Sequence, residues 1–383
     1  MFHGLYMSDP QRNRAWVELD PRALRHNYDV LRRSVGAHAG VLVMVKADGY
    51  GLGARWVVET LEPLSPPAWG VATAGEGIEL RSAGVVRDII VFGPMPPADV
   101  ERAAAHGLIA TISDLDALRR WAQAGQRHDG LRFHIEIDTG MGRAGFLLSE
   151  WPRWAKELPA AAAGQVECAG VYTHFHSADS ADPAATALQW ERLQEALRCL
   201  PWPRERLLVH AANSAGALRG HAYAGDMVRA GVYLYGGRAT DPSLPYPVPE
   251  PVASLRARIV LVREVPPGTT VGYGATHTAQ ERRRWATLSI GYGDGVPRAL
   301  GNRGCALVRG RRVPIIGRIS MDMTVVDITG LDGVAVGEVA TLVGRDGDAE
   351  ITIDEVAELA GTISYEILTG FRPRLPRVEQ ERE

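Results

Sequence analysis

The sequence predicts an α/β protein in which an N-terminal (β/α)8 barrel of the TIM type is followed by a mostly β C-terminal domain. From about residue 20 to 235, eight apolar β-runs alternate with amphipathic segments, which favours a parallel barrel over a doubly wound sheet. After a proline-rich stretch at 241–252, β-type runs separated by glycine and proline turns take over. We therefore expect a barrel domain at 14–248 and a β domain at 249–383.

The elements of the predicted barrel follow from apolar periodicity and end signals. Asp20 can cap the first helix, Pro21 suits its first turn, and Gly36 closes it. Later helices are expected over 98–107, 113–125 and 182–200. The strand candidates are 41–45, 70–72, 88–92, 108–112, 131–137, 166–173, 206–210 and 226–230.

The second domain is predicted from short β-type runs, with one helical segment at 353–363. Glycine and proline turns separate these runs, so a second, mostly β domain is the simplest interpretation. The runs are 254–265, 269–278, 285–292, 305–310, 312–319, 323–328 and 337–345.

Composition excludes several classes of protein. The 383 residues are 46% hydrophobic and 23% charged, and a net charge of -3 argues against a nucleic-acid or anionic-membrane surface. No apolar run approaches the ~18 residues of a spanning helix. The first 14 residues lack a signal-peptide pattern. We expect a chain with neither nucleic acid nor membrane as a partner.

The cysteines and lysines are few. Cys168, Cys199 and Cys305 are odd in number and far apart, which excludes a disulfide framework and offers no CxxC pair for a metal. A reduced cytoplasmic location without a bound metal is therefore expected. Of 42 basic residues only Lys46 and Lys156 are lysines.

Polar residues cluster where the predicted barrel strands end. In barrels of this kind the chemistry sits at the carboxyl ends of the strands. Five of the eight ends carry candidate groups. These are Lys46 and Tyr50 after the first strand, Asp138 and Arg143 after the fifth, His174 after the sixth, Asn213 and Ser214 after the seventh, and Arg229 and Gly231 after the eighth.

Three of these ends suggest a cofactor. A partly desolvated Lys46 can have a pKa low enough for imine chemistry, although a lysine at a strand end can also simply extend to solvent. Small residues at Ser214, Gly216 and Gly231 let backbone N–H groups reach a phosphate, although they also suit plain turns. A lysine facing a phosphate site suggests pyridoxal 5'-phosphate (PLP).

Nine sequence blocks occur in an order that resembles the alanine racemase family. The resemblance runs from about residue 14 to 377, nearly the whole chain. The blocks are VMVKADGYGLG, IDTGMGRAGF, VYTHF, HAANSAGAL, VRAGVYLYG, VGYGATHTA, IGYGDGVPR, GRISMDMTVVD and TISYEILT. The implied enzyme is a homodimer that binds PLP and makes D-alanine, which family members supply for peptidoglycan precursors.

The resemblance also implies roles for individual residues. Lys46 would bind the cofactor's aldehyde and act as the base on one face of the substrate, and Tyr273 of a partner subunit would be the base on the other. Asn213 belongs to the cofactor site. Phosphate binding is implied for Tyr50, Ser214, Gly231, Val232 and Tyr365. His174 would contact the cofactor ring, Arg229 its nitrogen and Arg143 its phenolic oxygen. Arg143 and the Met321 backbone would bind the substrate, and Tyr292 would narrow the entrance.

The chemistry agrees with these implied roles. Racemisation removes the α-proton on one face and returns a proton on the other, which requires two bases. An arginine at the cofactor nitrogen cannot readily give up its proton, so the nitrogen stays neutral. Taken singly, Arg229 also suits a salt bridge, Tyr273 a packed aromatic and His174 a core histidine.

The chain departs from the family's more familiar pattern at a few positions. Many members carry a carbamylated lysine where this chain has Glu136, whose fixed charge would give Arg143 a negative partner. Alternatively, Glu136 simply points to solvent. Gly49, Leu52 and Ser320 also differ, and none of these changes removes a catalytic group.

Three rival functions stay open at this point. A racemase of the same build could act on serine or on a broader set of amino acids. A PLP-dependent decarboxylase on the same barrel is disfavoured because its HxGS and GGG-type blocks have no clear match. A non-catalytic PLP carrier is disfavoured because a carrier needs no Tyr273. The residues leave open whether D-alanine serves cell-wall supply, catabolism or a biosynthetic cluster.

Overall fold

The structure is a computed structural model that describes residues 13–380. The prediction drawn from the first 14 residues falls almost entirely outside this range. Within it, no helix is long and apolar enough to cross a membrane.

Eight parallel strands form a nearly closed barrel, which confirms the predicted (β/α)8 architecture. The eighth strand pairs with the first, and the backbone N–H of Asp226 donates to the Val209 carbonyl (2.7 Å) between the seventh and eighth. The strands are β2 Gly40–Met44, β3 Trp69–Val71, β4 Ile89–Val91, β5 Ile109–Ile112, β6 Arg132–Asp138, β8 Glu167–Tyr172, β9 Leu208–His210 and β10 Met227–Ala230, with the short β7 Phe146–Leu147 beside β6.

Helices surround this barrel, and the first begins and ends where its sequence signals predict. The Asp20 side chain accepts hydrogen bonds from the backbone N–H groups of Arg22 and Ala23, and Gly36 ends the helix at a φ of 76°. The helices are α1 Pro21–Val35, α2 Lys46–Tyr50, α3 Ala54–Leu61, α4 Ala74–Ser82, α5 Pro97–Ala105, α6 Leu115–Gly125, α7 Trp151–Ala162, α8 Ala184–Leu197 and α9 Ser214–Leu218.

The rest of the described chain is mostly β, as the sequence predicts; nine of its eleven strands form one mainly antiparallel sheet, and the other two pair with each other. The strands are β1 Ala15–Leu19, β11 Ala253–Val265, β12 Thr270–Val271, β13 His277–Thr278, β14 Arg283–Leu288, β15 Cys305–Val308, β16 Arg311–Pro314, β17 Thr324–Asp327, β18 Val339–Asp346, β19 Ala349–Ile351 and β20 Arg377–Glu379, and the helices are α10 Ile353–Ala360 and α11 Ser364–Gly370. The main strand order of the larger sheet is β16-β15-β18-β11-β1-β20. The sequence did not predict α11 or β1.

Strand β1 ties the two parts of the chain together. It precedes α1 in sequence but pairs with β11 and β20 of the second sheet, and its Val17 and Leu19 are fully buried. The predicted division at residue 248 stays a prediction. One apolar core runs through both parts.

The chain's C-terminal segment reaches the strand end that carries Lys46. The Arg377 guanidinium donates to the Gly51 carbonyl at 2.6 and 3.0 Å. A Cβ at Gly51 would lie 2.5 Å from the Leu368 carbonyl of α11, so the two segments are in close contact. The segment from Leu368 to Arg377 therefore helps to place the first catalytic candidate.

Candidate active site

A cavity of about 1130 Å³ opens at the carboxyl ends of the barrel strands. Its position agrees with the general rule for barrels, and most of the predicted site residues line it. They are Lys46, Tyr50, Arg143, His174, Asn213, Ser214, Arg229, Gly231 and Tyr365. Val232 follows Gly231 and is fully buried.

Lys46 begins a tight turn in an unusual backbone conformation. Ala47, Asp48 and Tyr50 are left-handed, with φ values of 53°, 53° and 56°. The Glu76 carboxylate accepts a hydrogen bond from the Ala47 N–H (2.7 Å) and holds this turn. Such backbone strain persists only where the surroundings enforce it, and it is concentrated at functional sites.

The surroundings of Lys46 favour its neutral amine. Burial lowers the pKa of Lys46, and the positive charges of Arg143 and Arg229 lower it further, against the opposing effect of Glu76. A neutral amine is both a nucleophile and a base. This lysine can therefore bind an aldehyde and accept a proton.

Small residues and a tyrosine hydroxyl form a cradle in the same cavity. The Gly231 N–H donates to Ser214 Oγ (2.8 Å). Tyr50 stacks on Tyr235 with ring centroids 4.6 Å apart, and a Cβ at Gly231 would lie 2.3 Å from the Tyr50 hydroxyl. Asn213 caps α9. The Tyr50 and Ser214 hydroxyls of this cradle can each donate a hydrogen bond to a phosphate.

Arg229 is a buried cation held by neutral acceptors. Its guanidinium donates to the Thr173 and Ala211 carbonyls (2.9 Å each), to His210 Nδ1 (2.9 Å) and to His174 Nδ1 (3.0 Å). No carboxylate forms an ion pair with it in the described part of the chain. Burial lowers the pKa of Arg229 to about 10, so it remains protonated at neutral pH.

The histidines around Arg229 are neutral. Burial, followed by the charge of Arg229, lowers the pKa of His174 to about 2 and that of His210 well below its usual range. His210 Nε2 in turn lies 2.8 Å from His134 Nδ1. Neither His210 nor His134 is among the predicted site residues, although both lie on strands whose carboxyl ends carry predicted ones.

Glu136 faces the protein interior, which overturns the alternative that it points to solvent. It is 3% exposed and accepts a hydrogen bond from Ser113 (3.2 Å). Burial raises the pKa of Glu136, against the Ser113 hydrogen bond and the charges of Arg143 and Arg229. Residues 13–380 contain no direct ion pair between Glu136 and Arg143, so any influence between the two acts at a distance.

Three predicted site residues lie elsewhere, on the second sheet's loops. Tyr273 is 67% exposed, Met321 53% and Tyr292 39%, and none of them lines the cavity of its own chain. Two of their loops are joined, because the Gly293 N–H donates to the Met321 carbonyl (2.8 Å). The structure therefore divides the predicted site into a cavity set and an exposed set.

The cavity residues fit PLP. Lys46 offers an amine for the aldehyde, the Tyr50 and Ser214 hydroxyls beside Gly231 can donate to a phosphate, and Arg229 supplies a buried cation in the same cavity. Among the described residues no group of histidine, cysteine or carboxylate side chains is arranged to hold a metal.

Comparisons with known proteins point to one family. The family model "Alanine racemase, N-terminal domain" matches residues 19–239, and "Alanine racemase, C-terminal domain" matches residues 252–379. A curated alanine racemase from Synechocystis sp. is 40% identical over 96% of this chain and 99% of its own. One from Halothermothrix orenii is 36% identical over 94% of this chain and 96% of its own.

Solved structures agree. An alanine racemase from Bacillus anthracis with bound L-Ala-P superposes with a TM-score of 0.87 at 32% identity, covering 97% of this chain and 96% of that one. One from Bartonella henselae with covalently bound pyridoxal phosphate has a TM-score of 0.87 at 28% identity, covering 96% of this chain and all of its own.

The cradle makes a prediction about cofactor retention. Gly231→Ala places a methyl group 2.3 Å from the Tyr50 hydroxyl, and the ring cannot retreat because it stacks on Tyr235. We expect PLP affinity to fall about tenfold or more, measured by titrating the apoprotein. Gly75→Ala is the matched control, since a Cβ there meets nothing nearer than 3.8 Å. Equal affinity in both variants would show that PLP does not use the cradle.

Proposed function

Because the chain belongs to the alanine racemase family, we propose that it is a PLP-dependent isomerase that interconverts L-alanine and D-alanine, with Lys46 and Tyr273 as the two bases. The observation that supports this most directly is the cavity, where a lysine with a lowered pKa shares a site with Arg229 and a cradle suited to phosphate. The test is conversion of either pure enantiomer of alanine to the mixture.

The cofactor and the protein divide the chemistry between them. PLP, when bound, supplies an electron sink that stabilises negative charge at the substrate α-carbon. Lys46 moves a proton at that carbon on one face, which its lowered pKa favours. Tyr273 holds the proton for the opposite face. A racemase needs both, since removal and return on the same face would leave the configuration unchanged.

Arg229 and its neighbours set the charge in the cavity. Because Arg229 stays protonated, a group that it faces receives a hydrogen bond but no proton. His174 stays neutral and adds no second charge. Arg143 lines the same cavity and has no ion pair among residues 13–380, which suits its charge to orienting the substrate carboxylate.

The exposed set of residues leads us to a head-to-tail homodimer. Tyr273, Met321 and Tyr292 lie outside the cavity of their own chain, so we propose that they complete the cavity of a second copy. In that arrangement the Met321 backbone meets the substrate carboxylate and Tyr292 narrows the entrance. The three free cysteines support our further proposal of a reduced, cytoplasmic setting.

Serine is the alternative substrate, and competition measurements separate the two. We expect kcat/KM for alanine to exceed that for serine with the purified holoenzyme. A preference for serine would leave the fold and the two-base scheme intact but replace the substrate.

Lys46→Ala should remove covalent PLP binding and racemisation together, because no other lysine lies near the cavity. The measurement is borohydride reduction followed by peptide mapping, with D/L conversion of alanine in parallel. Lys156→Ala is the matched control, since Lys156 is the chain's only other lysine and is exposed on α7. A reducible adduct at the wild-type level in Lys46→Ala would refute the assignment.

Tyr273→Phe should keep the cofactor but lose ~10²–10⁴ of turnover, the range for a general acid-base group. Solvent deuterium should then enter the two enantiomers unequally, because only the Lys46 face keeps its base. Turnover at the wild-type rate would make Tyr273 structural and the two-base scheme wrong.

Glu136→Gln should affect racemisation more than PLP binding, because it removes a buried negative charge that acts on Arg143. We expect the activation free energy of racemisation to rise by a few kcal/mol at most. Wild-type activity should not respond to bicarbonate, since a carboxylate needs no carbamylation. Steady-state kinetics with and without added bicarbonate test both statements. Unchanged kinetics in the variant would mean that Glu136 has no influence on Arg143.

A further inference from the structure

The turn that carries Tyr273 has little intrinsic support. It joins β12 and β13, which have two residues each, and Tyr273 at its tip is 67% exposed. Gly272 and Gly274 take φ values of 72° and 75°. A two-stranded ribbon is marginally stable alone, so contacts from elsewhere must fix the tip.

Asn302 makes such a contact from another loop. Its Nδ2 donates to the hydroxyl of Thr276 (3.0 Å), three residues after Tyr273, and lies 3.4 Å from the Thr276 carbonyl. Its Oδ1 accepts from the N–H of Gly317 (2.6 Å), four residues before Met321. Donor and acceptor are both engaged, so the orientation of the amide is fixed.

The backbone beneath this amide is well anchored. Asn302 has a φ of 58°, a left-handed conformation that asparagine tolerates better than most residues. The turn around it is closed by the Gly304 N–H, which donates to the carbonyl of Leu300 (2.8 Å). The Ile315 N–H in turn donates to the Gly304 carbonyl (2.9 Å), and both Leu300 and Ile315 are buried.

We propose that Asn302 is a positioning residue for the second base: one side-chain amide sets the place of Tyr273 relative to the loop that leads to Met321. This inference rests on the proposed function. Asn302 does not touch substrate. It acts through Thr276 on the turn that must carry a phenolic oxygen to the α-carbon, and through Gly317 on the loop that must meet the carboxylate of the same substrate.

Proton transfer makes this alignment consequential. A base must lie within hydrogen-bond reach of the proton it moves, and a displacement of ~1 Å can cost ~10²-fold in rate. Loss of the amide leaves the small β12–β13 ribbon, anchored at its base by the apolar cluster around Val271, to define the tip. Chemistry on the Tyr273 face should suffer, whereas the Lys46 face, built on the barrel, should not.

The test uses Asn302→Gly, which removes the amide yet accommodates the φ of 58° without strain. We expect kcat for alanine racemisation to fall about tenfold with little change in PLP affinity. Deuterium should enter the two enantiomers unequally, as in Tyr273→Phe but less strongly. Ser65→Gly is the matched control, because Ser65 is an exposed residue with a φ of 52° far from the turn.

A double-mutant cycle then asks whether Asn302 acts through Tyr273. In a Tyr273→Phe background, Asn302→Gly should alter α-proton exchange on the Lys46 face by less than about twofold. Thr276→Val removes the hydroxyl without touching Asn302 and should reproduce the loss, whereas Thr276→Ser should keep the wild-type rate.

Unchanged kcat in Asn302→Gly and Thr276→Val would overturn the proposal. An undiminished effect of Asn302→Gly in the Tyr273→Phe background would overturn it too, since the residue would then act elsewhere. Failure of the proposed function looks different: the wild-type holoenzyme would not racemise alanine, or Tyr273→Phe alone would turn over at the wild-type rate.

Discussion

The buried guanidinium of Arg229 is the interaction on which the rest of the site depends. A cation removed from water is costly unless hydrogen bonds replace its hydration, and here two carbonyls and two imidazoles do so. Each acceptor is constrained in return, because His174 and His210 must present an unprotonated nitrogen. Burial and the charge of Arg143 lower the pKa of Lys46, and Arg229 adds to them, so the buried arginine reinforces the neutral state of its neighbours.

Segments that are far apart in this sequence lie side by side in the fold, and the site depends on contacts between them. The first and the last described strands both belong to the second sheet, although the whole barrel lies between them in sequence. The left-handed turn after Lys46 is braced by Glu76 from the barrel and contacted by α11 and Arg377 from the chain's far end. Its strain is thus offset by contacts from both parts of the fold.

Periodicity and end signals were enough to predict the barrel, its eight strands and the cavity residues at the strand ends, because strand ends in a parallel barrel must meet at one rim. Tyr365, which also lines the cavity, was implied only by the family resemblance. Strand β1 was missed because five residues in front of a capped helix do not reveal with which strands they pair. His210 was missed because its role depends on Arg229 from the next strand. Asn302 gave no signal either, since its two partners are far away in sequence. The separation of Tyr273 from its own cavity is likewise invisible in periodicity and was implied only by the family resemblance.

The scarcity of lysine has a practical consequence for counting sites. Apart from Lys46, Lys156 is the only residue with a side-chain amine, and it lies exposed on a helix. Most proteins of this size carry many amines that compete for an aldehyde reagent. In this chain only two side-chain amines can be labelled, so the extent of labelling at Lys46, read by peptide mapping, measures how many active sites are correctly built and turns a routine chemical modification into an assay of folding quality.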